Sequence, residues 1–180
     1  MRRSTRLSAM LVLLVALVAG DIPRVSGAQD ASPTAADLPE IVIAFGEAWS
    51  SGDPEQLVAI YAEDVLFEEV VLDGTVTHGR DELRAYAEAV YAAFPDFTVT
   101  PMSGFVSGDR AVLEWVLTGT YEGQFGPLPP GSGQQVAVRV ASVLELADDG
   151  LIRRDSEYWD FATVLTQLGA MPEVEAATTP

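Results

Sequence analysis

Asp160 is the residue of this 180-residue chain whose type and setting best suit proton chemistry. It follows Tyr158 and Trp159 in the stretch SEYWDF, at the predicted end of a β-strand. Strict alternation along that strand places Asp160 on the inward face together with Tyr158, and it places Asp155 and Glu157 on the face expected to be solvated. Burial in an apolar pocket raises the pKa of a carboxyl group, and a tyrosine hydroxyl nearby can stabilise an oxyanion. With Tyr158 or Tyr121 as donor, Asp160 is a candidate catalytic base for carbon next to a carbonyl group.

The same aspartate also has a purely structural interpretation. It stands directly before a predicted short helix at 161–168, where Asp is a favoured N-cap and accepts a backbone N–H from Ala162 or Thr163. A β-bulge would reverse the face of the strand on which Asp160 lies. The sequence leaves both roles open.

Other side chains could share a site with Asp160. His78 is the only histidine, and it is a second acid/base candidate because imidazole titrates near neutral pH; a solvated loop histidine is the alternative. Glu68 and Glu69 alternate on a predicted strand, so one of them is expected to face inward. Aromatic side chains are expected either to line a substrate-binding pocket or to pack in the core: Trp49, Tyr61, Phe67, Tyr86, Trp115, Tyr121 and Tyr158.

Helical patterns followed by strand patterns position these residues. Apolar spacing predicts a helix that begins near Asp37, a second that begins at Asp53 and carries Leu57, Ile60 and Tyr61 on one face, and a third over 81–94. Residues 64–71 are β-like, 72–79 read as a turn-rich connection, and four more strands are predicted at 97–106, 110–121, 135–146 and 151–160. In 110–121 the odd-numbered residues are apolar and are expected to be buried. Such an order predicts an α+β domain with the helices packed on one face of a mostly antiparallel sheet.

The N-terminal residues predict an export signal. Three arginines precede an apolar run at 9–20, and small residues at 26–28 offer a cleavage site, so residues 1–28 are interpreted as a signal peptide. An uncleaved anchor is the alternative, although the apolar run is shorter than the ~20 residues that span a bilayer. We expect a secreted protein with a disordered lead-in at 29–36, a domain at 37–169 and a disordered tail at 170–180. Without cysteine, it has no lipid-attachment site and no disulfide.

Composition restricts the partners. The chain has 27 acidic residues and 10 basic ones, a net charge of −17, and such a field repels nucleic acid and anionic membranes. The turn at 148–150 lacks further calcium ligands, and the Gly/Pro-rich loop at 126–133 lacks the lysine and helix start of a phosphate-binding loop. We therefore expect no metal and no organic cofactor.

Four stretches carry a family resemblance: AWSSGDPEQLVAIYAEDVLFEE, HGRDELRAYAEAVYAAFPDFTV, GQFGPLPPGSGQQVAVRVASVLELADDGLIRR and YWDFATVLTQLG. Together they cover about 38–169 and resemble the SnoaL-like proteins of the nuclear transport factor 2-like superfamily. The resemblance implies a cone-shaped, curved sheet on three helices with an apolar pocket. It also implies one of several activities, since polyketide cyclases, ketosteroid isomerases, epoxide hydrolases, dehydratases and non-catalytic modules share this fold.

The resemblance also bears on individual residues. In the cyclases an aspartate near the end of the last long strand acts as general acid/base, and Asp160 matches that position. The epoxide hydrolases additionally need an Arg and an Asp on an earlier strand, where this chain has Trp115 and Leu117. A histidine near the aspartate is usual in the cyclases, whereas His78 stands in a loop. Many such domains dimerise through the outer sheet face, and Trp159 is a hint of such a surface.

These observations predict a secreted domain that binds a small apolar carbonyl or polycyclic compound. Asp160 would carry a proton transfer of the aldol cyclase, isomerase or lyase type. The alternative is a non-catalytic ligand-binding or dimerisation module of the same fold, and a homodimer is compatible with both.

Overall fold

The computed structural model describes residues 38–171. The predicted signal peptide at 1–28, the lead-in at 29–36 and nearly all of the tail at 170–180 lie outside the described residues. Four helices are present in the described part: α1 (Glu40–Ser50), α2 (Pro54–Val58), α3 (Gly79–Ala93) and α4 (Phe161–Gln167). None of them has the length and apolar character needed to cross a lipid bilayer.

Six strands form one open sheet and confirm the α+β class. They are β1 (Tyr61–Glu69), β2 (Thr75–His78), β3 (Thr98–Ser107), β4 (Arg110–Tyr121), β5 (Gln134–Leu146) and β6 (Ile152–Trp159). Their order across the sheet is β2-β1-β6-β5-β4-β3. Strands β1 and β6 are parallel, and the other neighbours are antiparallel. The parallel pair brings the ends of β1 and β6 together, and both strands carry acidic side chains there.

The two ends of β1 depart from the sequence-based prediction. Helix α2 begins at its N-cap Asp53, whose side chain accepts from the backbone N–H of Glu55 at 2.9 Å. It ends at Val58, so Tyr61 lies on β1 and not on the helix. The stretch predicted as a turn-rich connection contains β2, which pairs with β1. Four residues with little apolar character make β2 a weak sequence signal, and strand pairing alone defines it.

The core lies between the helices and one face of the sheet. The prediction for β4 is confirmed, since Ala111, Leu113 and Trp115 are buried on its odd-numbered face. Helix α1 packs Phe45 against Trp115 with the ring centroids 5.7 Å apart. Apolar burial of this kind, at about 25 cal/mol per Å², is the main stabilising contribution to the fold.

A β-bulge decides which face of β6 points inward. Leu146 of β5 pairs with Ile152, but Glu145 pairs with Arg154, so Arg153 is an extra residue in the ladder. Because strand side chains alternate, one extra residue exchanges the two faces of everything beyond it. The face expected to be solvated, with Asp155 and Glu157, is therefore the buried one.

Candidate functional site

An apolar cavity lies between the helices and the inner sheet face. Its volume is about 50 Å³, compared with the roughly 150 Å³ that accommodates benzene in an engineered protein cavity. Two of the side chains that line it are acidic, and the others are aromatic or aliphatic. The lining includes three tryptophans, one tyrosine and two glutamates: Trp49, Trp115, Trp159, Tyr86, Glu69 and Glu157.

A loop after β4 contributes to the cavity wall through Phe125 and Leu128. Its glycines allow it to lie close to the rest of the domain. A Cβ at Gly123 would be 2.8 Å from the Cα of Ala93, and one at Gly131 would be 2.7 Å from the carbonyl oxygen of Tyr121. Such distances exclude larger side chains at both positions, so the Gly/Pro-rich composition of this stretch is required by packing.

Glu69 is the inward-facing member of the predicted Glu68–Glu69 pair. Its side chain is almost fully buried at 4% exposure. Its two oxygens accept hydrogen bonds from the hydroxyl of Tyr86 and from Nε1 of Trp159, the latter at 2.7 Å. Burial raises the pKa of Glu69, and the bonds from Tyr86 and Trp159 oppose the rise because they stabilise the ionised form.

Glu157 is the second acidic group in the cavity wall. It is 5% exposed, and its Oε1 has no hydrogen-bond partner among the described residues. Burial raises its pKa well above the ordinary value, and the charges of Asp155 and Glu69 add to the rise. A hydrogen bond with Ser142, whose Oγ also accepts from Nε1 of Trp115 at 3.0 Å, opposes it. The surroundings of Glu157 therefore favour its protonated, neutral form.

Asp155 lies on the same buried face of β6, behind the cavity wall. Its Oδ2 accepts from the hydroxyl of Tyr61 at 2.9 Å. The hydroxyl oxygen of Tyr61 in turn accepts from Nε1 of Trp49 at 3.2 Å. Burial raises the pKa of Asp155 to about 8; the hydrogen bond from Tyr61 opposes the rise, and the charge of Glu69 adds to it. Asp155 is not among the residues that line the cavity.

Asp160 does not point into the cavity, and the predicted inward orientation is wrong. It is exposed and caps α4: its Oδ1 accepts from the backbone N–H of Thr163 at 3.0 Å and its Oδ2 from the Thr163 hydroxyl at 2.7 Å. The hydrogen bonds from Thr163 lower the pKa of Asp160. The physical reason is the bulge at Arg153, which places Asp160 in a groove on the outer sheet face.

The other predicted site residues fall into three groups. Tyr158 is 46% exposed on the outer face, and His78 is exposed at the start of α3, so neither contacts the cavity. Tyr61, Phe67 and Tyr121 are fully buried behind the walls, where the hydroxyl of Tyr121 accepts from the N–H of Phe125 at 2.9 Å. Three predicted residues do line the cavity: Trp49, Tyr86 and Trp115.

Trp159 was the proposed hint of a dimer surface, and its surroundings give it another role. Its ring lies in the cavity wall, and its Nε1 donates to Glu69. The inward face of β6 consequently carries Asp155, Glu157 and Trp159, two residues apart each time. Sequence reasoning missed Asp155 and Glu157. One available signal was Arg154, a charged residue that strict alternation would have placed on the buried face.

Comparisons with known proteins agree with this architecture. Residues 40–168 match the family model described as SnoaL-like polyketide cyclase, and the chain belongs to that family. No curated protein matches the chain.

Three solved structures show the same fold. A protein from Catenulispora acidiphila with a ketosteroid isomerase-like fold, solved in complex with trimethylamine, is 26% identical, with 73% of this chain and 94% of that chain covered and a TM-score of 0.63. A candidate SnoaL-like polyketide cyclase from Jannaschia sp. is also 26% identical, covering 73% and 90%, with a TM-score of 0.61. IdmH of Streptomyces antibioticus, a candidate polyketide cyclase, is 26% identical over 71% and 95%, with a TM-score of 0.60.

Proposed function

We propose that this domain binds a small carbonyl compound in the cavity and transfers a proton at the carbon next to the carbonyl group. The observation that carries the proposal is Glu157: a buried carboxyl group in an apolar wall, with one oxygen unpartnered among the described residues and with surroundings that raise its pKa. A carboxylic acid kept neutral at pH 7 can donate a hydrogen bond or a proton to a developing oxyanion.

Glu69 is the complementary base in this proposal. Two carboxyl groups whose surroundings push their pKa values apart can serve as acid and base in one step. The Glu69 carboxylate takes a proton from carbon while Glu157 gives its proton to the carbonyl oxygen. The product is an enol, with Glu69 protonated and Glu157 ionised, and the reverse step restores both groups. Asp160 has no part in this step, because it lies on the other face of the sheet.

The size of the cavity restricts the substrate. At about 50 Å³, it has room for a molecule of a few non-hydrogen atoms, and a polycyclic compound exceeds that volume. The proposal is therefore limited to small ketones and aldehydes, with isomerase or lyase-type chemistry favoured over ring closure.

Deuterium incorporation tests the proton transfer. Acetone is incubated with the protein in deuterated water, and loss of the α-proton signal is followed by NMR. General acid–base catalysis contributes about 10²–10⁴-fold, so Glu157→Gln should reduce the protein-dependent rate by about 100-fold or more. Asp160→Asn is the matched control and should leave the rate unchanged. Equal rates for wild type and Glu157→Gln would refute the proposal.

A non-catalytic ligand-binding domain is the second candidate. It is favoured by Glu69, because Tyr86 and Trp159 already donate to both of its oxygens and so weaken it as a base. Ketone binding seen by tryptophan fluorescence, without any α-proton exchange, would support this candidate over the first.

We further propose a homodimer through the outer face of the sheet. Phe105 is 59% exposed there and Tyr158 is 46% exposed, and both side chains line a groove on that face. Light scattering after size exclusion should give the mass of two chains, and Phe105→Glu should give the mass of one. A monomeric wild type would contradict the proposal.

We also propose that the protein is exported and that residues 1–28 are removed as a signal peptide, because arginines followed by an apolar run are typical of such a segment. Intact mass measurement of the protein recovered outside the cytoplasm should show an N-terminus at Gln29. A full-length mass would contradict it.

A further inference from the structure

The cavity contains a negative charge that is stabilised only by neutral groups. Glu69 accepts a hydrogen bond on each oxygen, from the hydroxyl of Tyr86 and from the indole N–H of Trp159. An indole N–H can only donate, so the oxygen that faces it must be an acceptor. Hydrogen bonds to both oxygens are the pattern of an ionised carboxylate. The bonds from Tyr86 and Trp159 favour the ionised form of Glu69 against the effect of burial, and in that form Glu69 is a nearly buried anion in the wall of the cavity.

No protein cation balances this anion within the described residues. None of the described residues that line the cavity is basic. The six arginines between residues 38 and 171 bind elsewhere, Arg80 to the carbonyl oxygen of Tyr61 and the others to outer carboxylates: Arg84, Arg110, Arg139, Arg153 and Arg154. Because an isolated buried charge is costly, the cavity lacks a positive partner.

The aromatic walls suit a positive ligand. The faces of aromatic rings carry partial negative charge, and tryptophan attracts cations most strongly. The chain has three tryptophans, and all of them line the cavity: Trp49, Trp115 and Trp159. Tyr86 stands edge-on to Trp49 with the ring centroids 6.4 Å apart, and Phe125 is edge-on to Tyr86 at 5.5 Å.

Glu157 supplies the matching hydrogen-bond acceptor. Its side chain is 5% exposed, it lies in the cavity wall, and its Oε1 has no partner among the described residues. A ligand N–H in the cavity could donate to this oxygen when Glu157 is ionised, which is the form that a nearby cation favours. An ammonium group can thus make three separate interactions in the cavity: it balances the negative charge, it is attracted to the aromatic faces, and it donates to the unpartnered acceptor.

We propose that the cavity binds a small organic ammonium ion of about four non-hydrogen atoms, held by Glu69, Glu157 and the tryptophan rings. The volume of about 50 Å³ sets the size. The net charge of −17 draws cations towards the protein. This inference rests on the cavity of the proposed function but not on the proton transfer. If the cavity both binds an ammonium group and transfers a proton, the substrate of the proton transfer is a carbonyl compound that carries an amino group.

Three isosteric ligands test the charge of the preferred ligand. Isopropylammonium chloride, isopropanol and acetone have the same number of non-hydrogen atoms, and only the first is a cation at pH 7. Each is titrated into the wild-type protein at constant ionic strength, and binding is followed by tryptophan fluorescence and by calorimetry. Isopropylammonium should bind at least about tenfold more tightly than either neutral ligand, a difference of about 1.4 kcal/mol.

Calorimetry in two buffers adds a second readout. A cation beside Glu157 favours its ionised form, so binding of isopropylammonium should release a fraction of a proton. The apparent binding enthalpy should then differ between phosphate and Tris buffers. Binding of isopropanol should show no such difference.

Two variants test whether Glu69 causes the preference for isopropylammonium. Glu69→Gln removes the charge from the wall and should cost isopropylammonium at least about tenfold in affinity while leaving isopropanol binding unchanged. Glu88→Gln removes the same charge from an exposed position on α3, and it should leave all three affinities unchanged. If Glu69→Gln does not fold, the comparison of the three ligands on wild type remains decisive.

The outcomes separate this inference from the proposed function. Equal affinity for isopropylammonium and isopropanol would overturn the inference, and Glu157-dependent deuterium exchange into acetone would still uphold the proton transfer. Tight binding of isopropylammonium without any exchange would uphold the inference and refute the proton transfer. If Glu88→Gln loses as much affinity for isopropylammonium as Glu69→Gln does, the preference comes from the surface charge, and the proposed binding site in the cavity is overturned.

Discussion

The buried carboxyl of Asp155 makes stability depend on pH in an unusual direction. Its ordinary pKa is 3.8, and burial raises the folded value to about 8. Between these values the unfolded chain has released this proton while the folded protein still holds it. The unfolded state then binds fewer protons, so the free energy of unfolding falls as the pH rises from about 4 to about 8.

The magnitude follows from the same two values. One proton contributes about 1.4 kcal/mol per pH unit. Over the whole interval the loss is on the order of 5 kcal/mol, comparable to the total stability of many domains. Asp155→Asn removes this contribution because the amide is neutral at every pH. Its Oδ1 can still accept from the hydroxyl of Tyr61, which is 2.9 Å from Asp155 in the native protein.

Urea unfolding at several values between pH 4.5 and pH 8.5 measures the effect. Wild type and Asp155→Asn should have similar stability at the acidic end, and the variant should be the more stable one by several kcal/mol at the alkaline end. Asp160→Asn is the control, since it changes an exposed aspartate that caps α4, and it should keep the slope of the wild type. Parallel curves for wild type and Asp155→Asn would refute the assignment of a raised pKa to Asp155.

The remaining predictions concern the cavity and the cap. The proposed step needs Glu157 protonated and Glu69 ionised, so the rate of deuterium exchange should rise and then fall with increasing pH. Glu157→Gln should abolish the fall at alkaline pH. An exchange rate that increases steadily with pH would contradict the roles assigned to the two groups. Asp160→Ala removes the α4 cap and should lower the melting temperature slightly, whereas Asp160→Asn retains the cap and should not. Equal rates of deuterium exchange are expected in both Asp160 variants, and a lower rate in Asp160→Asn would return the catalytic role to Asp160.

Local patterns in the sequence predicted most of the fold. The odd-numbered apolar residues of β4 gave its buried face, and the aspartate before α4 gave its cap. Four strands lie within one residue of their predicted bounds because alternation and turn residues are local signals. Strand β2 was missed, since Thr75–His78 has little apolar character and is defined by pairing with β1.

The site was predicted only in part, and one residue accounts for the difference. Trp49, Tyr86 and Trp115 line the cavity as expected, and Glu69 faces inward. Asp155 and Glu157 were assigned to solvent because a strict period of two was extended through β6. The bulge at Arg153 depends on how β6 pairs with β5, and pairing between strands is not contained in the pattern of either strand alone.

The central claim is that the functional carboxyl group is Glu157 and not Asp160. Carbon-detected NMR titration of one labelled sample gives both pKa values, with Glu157→Gln and Asp160→Asn used for assignment. We predict a pKa for Glu157 well above the ordinary value for glutamate, because of burial and the neighbouring carboxyls, and a pKa for Asp160 below the ordinary 3.8, because of its hydrogen bonds with Thr163. An ordinary value for Glu157 together with a raised value for Asp160 would contradict the account.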